Sequence, residues 1–137
     1  MLGGCVRNPV GSARNDGIYA SKAAASADSA LSAVATVQMV AEAAGEGRVF
    51  GSFASVSVDQ QEDAITEIAQ LFLSIQPPDD SSVALRDELG AMLDDARDHI
   101  ATVRIAVRRG DLDGAATAAA PLADDAEQLE AFGEAHR

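Results

Sequence analysis

The chain carries 137 residues with 22 acidic against 10 basic side chains, a net charge of −12, and 47% apolar residues, so it is long enough to bury one core without disulfide staples. Alanine accounts for 29 residues while aromatics are 4% and tryptophan is absent, a composition that favours closely approaching helices over a sheet built on Val, Ile, Tyr and Phe. The acidic balance repels phosphate backbones and anionic headgroups, which argues against nucleic-acid binding and against membrane attachment through a basic patch.

At the amino terminus the only cysteine, Cys5, stands behind Leu2, Gly3 and Gly4. Leu2-Gly3-Gly4-Cys5 resembles the lipobox of exported bacterial lipoproteins, in which a Leu at −3 and small residues at −2 and −1 let the peptidase reach the backbone. The cysteine thiol then takes a diacylglyceryl group, its acyl chains typified by palmitate. The resemblance implies that Cys5 is the lipidation site and the mature N-terminus. It also implies a place on the extracytoplasmic side of the cell membrane, in the cell envelope, with the lipid anchor as the only hold. A complete export signal has a basic n-region and about 7–15 apolar residues before the cleavage site. Since four residues precede Cys5, residues 1–12 read as a truncated signal remnant and a tether, Val6 to Ser12, rich in turn formers. Residues 13–137 read as a single helical domain. Acylation of Cys5 leaves no free thiol, in keeping with an oxidising compartment. The other reading of Cys5 is an incidental thiol near a chain end, in a protein that stays cytoplasmic.

The first helix is expected to start near Asn15 or Asp16, either of which can cap, and to end at Gly45. Ala23, Ala27, Leu31, Val34, Val37, Ala41 and Ala44 recur at spacings of three and four, one helical stripe. From Ser29 to Ala41 there is no charge, so this helix lacks an ordinary charged outer face and should be buried on more than one side. The run is shorter than the roughly 20 apolar residues that span a bilayer. Arg48 to Val58 mixes period-2 and helical spacing and is expected to be a packed, non-helical or mixed connection whose Phe50 and Phe53 plug the end of the core. Asp59 and Glu62 have capping-box spacing and are expected to open the second helix, with Ile65, Ile68, Phe72 and Ile75 inside and Pro77-Pro78 as its stop.

Asp79, Asp80, Ser81 and Ser82 offer cap oxygens for a third helix that buries Leu85, Leu89, Met92, Ala96, Ile100, Val103 and Val107. Gly110 followed by Asp111 reads as a C-terminal glycine and the next N-cap, which makes helices three and four antiparallel neighbours. The fourth helix presents Leu112, Ala115, Ala119, Leu122, Ala126, Leu129 and Phe132, with Pro121 kinking or restarting it. The expected fold is all-α, an antiparallel up-down four-helix bundle.

Candidates for chemistry are few. Di-iron bundles use Glu-x-x-His pairs, whereas Ala96 stands three before His99 and Gly133 three before His136. Asp95 and His99 lie one turn apart, too few ligands for a metal site, and are expected to pair on the surface. Gly45-Glu46-Gly47 lacks the third glycine and the preceding strand of a phosphate cradle. Asp94-Asp95 and Asp124-Asp125 are adjacent in sequence, diverge around a helix and read as solvent charges. No catalytic, cofactor or metal residue is therefore expected. The functional expectation is a lipid-anchored, non-catalytic binding or structural module on the outer face of a bacterial plasma membrane. The alternative is a cytosolic adaptor or homodimer that meets a protein partner or a second copy through the uncharged face of helix 1.

Overall fold

Period-3.6 burial with no charge in the middle produces one long first helix. In the computed structural model, which describes residues 16–137, α1 spans Asp16–Gly45. Leu2-Gly3-Gly4-Cys5, the tether and the first residues of the expected domain lie outside the described residues. Tyr19, Ala23, Ala27, Ala30, Val34, Val37, Ala41 and Ala44 form the inner stripe of α1, and Ala24, Ala33, Val40 and Ala43 widen it. The helix is thus buried on more than one side, as its lack of charge predicts. Leu31 is only half-buried. Gly45 ends α1 at a close crossing: a Cβ there would stand 2.8 Å from the Cβ of Ala116, so a side chain would push the helices apart.

The connection that follows is shorter than expected. The second helix, α2, spans Gly51–Leu73, so most of the stretch to Val58 is helical and Asp59 and Glu62 sit inside the helix instead of opening it. Ala54, Val58, Ile65, Ala69 and Phe72 are buried; this 3.6-residue period overrides the short serine alternation that suggested a strand. Phe50 occupies the N-cap without a side-chain hydrogen bond, and both Phe50 and Phe53 are exposed. Neither plugs the core. α2 ends at Leu73, ahead of Pro77-Pro78, and Ile75 packs against the core from beyond the helix.

α3 spans Asp80–Arg108. Asp79 caps it, its Oδ1 accepting from the Ser82 backbone N–H at 2.8 Å. That bond, with those from the Ser82 and Ser81 side chains, holds the Asp79 carboxyl below its usual range. Leu89, Leu93, Ala96, Ile100, Val103 and Val107 face inward. Gly110 turns the chain at φ 73°, a left-handed conformation costly for other residues. Asp111 immediately caps α4, Leu112–Ala118, by accepting from the Gly114 N–H at 2.8 Å. Pro121 lacks an N–H, and the chain restarts as α5, Leu122–His136. The outcome is an all-α, four-helix fold whose fourth member is broken into α4 and α5.

α1 and α3 each pack against every other helix, while α2 packs chiefly against these two. One continuous core results, with Tyr19, Ile65, Phe72, Leu89, Ile100 and Leu129 among its largest fully buried side chains. Burial of each large aliphatic side chain contributes about 1.5–3 kcal/mol before the cost of ordering it. The alanines of α1 contribute less each, and their small size lets neighbouring backbones come close. Tyr19 and Phe72 meet with ring centroids 5.6 Å apart, tying the start of α1 to the end of α2.

Candidate functional site

Cys5, the one residue assigned a chemical fate by the sequence, lies outside the described residues. The histidine assigned to a surface pair has a different partner. His99 of α3 meets Asp125 of α5, Nδ1 to Oδ2 at 2.5 Å, and not Asp95 one turn before it. Asp125 is only 7% exposed while His99 is 37% exposed, so Asp125 is no solvent charge. An ionised carboxylate can only accept, which places the ring proton on Nδ1. The pair buries a charge-assisted bond between two helices, and its physical effect is to fix α5 against α3. Asp94 pairs with Arg97 at 3.4 Å, and the His136 ring meets Phe132 in a tilted contact with centroids 4.4 Å apart.

A second polar cluster joins α2 to α3. Arg104 Nε donates to Glu62 Oε2 at 2.5 Å and Arg108 Nη2 to Asp59 Oδ2 at 2.9 Å. These residues and Asp63 line a cleft of about 280 Å³. Each guanidinium neutralises a carboxylate, so the arrangement acts as a helix-to-helix tie. Further along the same seam Arg86 Nη2 donates to the Leu73 carbonyl at 3.3 Å. The Tyr19 hydroxyl is buried without a hydrogen-bond partner among the described residues. Burial raises its pKa; Arg86 lowers it and Asp87 raises it to a lesser extent.

Grooves also lie along both flanks of α1. Between the end of α1 and α4–α5 runs an open groove of about 450 Å³, floored by alanines such as Ala116, Ala119 and Ala123 and edged by Glu42, Glu46 and Asp113. Glu46 is already paired with Arg48 at 2.6 Å. On the other flank of α1, Ala25, Ser26 and Ser29 share a shallow groove of about 200 Å³ with Ile68 and Leu71 of α2. Among the described residues no group of three or more potential metal ligands comes together, and no helix is long and apolar enough to cross a membrane.

The ties Asp59–Arg108 and Glu62–Arg104 were missed in the sequence, though a signal is there. Acids three apart on one helix face bases four apart on the next, in reversed order. No protein-family model, curated protein or solved structure matches the chain.

Proposed function

We propose that this chain is a lipid-anchored, non-catalytic helical module on the outer face of a bacterial plasma membrane, with Cys5 carrying the diacylglyceryl group. Residues 6–12 tether the helical body, which serves as a binding or structural unit. The observation that carries this reading is the lipobox-like Leu2-Gly3-Gly4-Cys5. The charge supports it: a chain at −12 is repelled by anionic headgroups, so a durable hold on a membrane needs a covalent lipid. The polar clusters support the non-catalytic part, because His99, Asp125, Arg104 and Glu62 are engaged in joining helices.

As part of this proposal the body is an antiparallel up-down bundle with α4 and α5 sharing the fourth position. Contacts in reversed order favour that arrangement. Tyr19 meets Phe72, Asp59 meets Arg108 while Leu73 meets Arg86, and Asp28 meets Arg137 while Gly45 approaches Ala116.

The test is metabolic labelling in the native host with an alkyne analogue of palmitate, followed by detergent phase partition. The expected result is a labelled protein in the detergent phase, with label and partition both lost in Cys5→Ala. A bare thiol at Cys5 and recovery from the aqueous phase overturn the reading and remove the envelope assignment.

A further inference from the structure

The groove between the end of α1 and α4–α5 differs from the α2–α3 cleft in how its charges are met. In the cleft, Arg104 and Arg108 answer Glu62 and Asp59. In the groove, of about 450 Å³, the ionisable lining residues are Glu42, Glu46 and Asp113, all acidic. Arg48 takes Glu46 at 2.6 Å. Glu42 and Asp113 have no ion-pair partner among the described residues.

The backbone points the same way, independently of the side chains. α1 carries no base in its last turn and places Glu42 there, with Glu46 just beyond, although the C-terminal end of a helix is its negative pole and favours cations. The carbonyls of Gly45 and Ala116, both lining residues, receive no backbone N–H among the described residues. Gly47 and Arg48 donate to Ala44 and Ala43, and Ala120 donates to Thr117. Carboxylates, a helix end and open carbonyls thus surround a floor of alanine methyl groups with potential of one sign, an arrangement that opposes the stability of α1.

We infer that this groove binds a linear aliphatic polyamine, its ammonium groups meeting Glu42 on α1 and Asp113 on α4 and its methylenes lying over Ala116, Ala120 and Ala123. The lining selects this class. Its charge requires a cation, and its apolar floor favours a hydrocarbon body that a hydrated metal ion lacks. No aromatic side chain lines the groove, so there is no ring face for a quaternary ammonium or an aryl cation. Two unpaired carboxylates match more than one ammonium, each an N–H donor to their oxygens. The lining stretch of α1 from Gln38 to Gly45 is about 10 Å long, which suits a small molecule and spans only about two turns of a docked protein helix. This names a ligand class for the helical body and does not rest on acylation of Cys5.

Isothermal titration calorimetry of the 137-residue chain with spermidine, in about 50 mM salt, tests the inference. One equivalent is expected to bind, at least about tenfold more tightly than hexaamminecobalt(III), a compact trication without methylenes. Glu42→Gln weakens spermidine binding about fivefold or more while raising the thermal midpoint of the unliganded chain, because it removes an acid from the negative end of α1. Glu67→Gln, an equal loss of charge on the exposed surface of α2, leaves the affinity within about twofold. Absence of binding overturns the inference, as does equal binding of the cobalt complex or several equivalents bound alike along the acidic surface. So does a Glu67→Gln effect as large as that of Glu42→Gln. A Glu42→Gln chain with a raised midpoint and unchanged affinity also overturns it, since Glu42 is then only a solvated charge.

Discussion

His99 and Asp125 illustrate how one residue's environment depends on where its helix restarts. The stripe Leu122, Ala126, Leu129 leaves Asp125 beside the core edge, and the alternative spacing Leu122, Asp125, Leu129, Phe132 is equally helical. The structure uses that second set. Asp95 looked the natural partner for His99 because it lies one turn away, but a residue on a neighbouring helix outcompetes it with a more buried carboxylate. His99→Ala is expected to cost about 1–3 kcal/mol in urea denaturation by stranding that carboxylate; the partial exposure of His99 favours the lower half of this range. The double variant His99→Ala, Asp125→Ala should be less destabilised than the sum of the two single changes by at least about 0.5 kcal/mol, the signature of direct coupling.

At the scale of elements, legibility followed the presence of both a cap and an unbroken period. α3 had both: Asp79 caps it and its inward residues recur to Val107. α1 had a stripe and a terminal glycine, and its missing charge correctly signalled burial on several sides. α2 had no cap to announce it. Its N-cap is Phe50, with φ −73° and ψ 150° and no side-chain bond, while Asp59 and Glu62 mimicked a start further along and in fact face Arg108 and Arg104. A short window of alternating serines cannot separate strand from helix, and only the continuation through Ile65, Ala69 and Phe72 decides it. The missing cap is correctable. Phe50→Ser supplies an oxygen for the orphan N–H groups of the first turn and removes a side chain that is 84% exposed, so little packing is lost. Stability should rise by about 0.5–1.5 kcal/mol, read as a higher midpoint in chemical denaturation.

For the whole molecule, composition was enough to indicate an all-α fold, since abundant alanine and scarce aromatics suit close helices. It could not indicate which polar residues join them, because contacts such as Arg104–Glu62 depend on the register between helices. Two electrostatic effects then oppose each other. The interhelical pairs Arg108–Asp59 and Arg137–Asp28 are exposed or half-exposed, and such pairs contribute about 0–1 kcal/mol each and weaken in salt; Arg104–Glu62, with side chains 27% and 23% exposed, is screened less. Against them stands an excess of twelve acids over bases, most of it on α3 to α5, repelling over about 10 Å at 0.1 M salt and further when salt is dilute. The unfolded chain spreads these charges apart, so repulsion falls mainly on the folded state. With these ties and the His99–Asp125 bond set against an excess of twelve acids, repulsion outweighs attraction. Raising sodium chloride from about 20 to 300 mM should therefore raise the midpoint of thermal unfolding. A midpoint that falls instead would show that the interhelical pairs dominate the electrostatics of the fold.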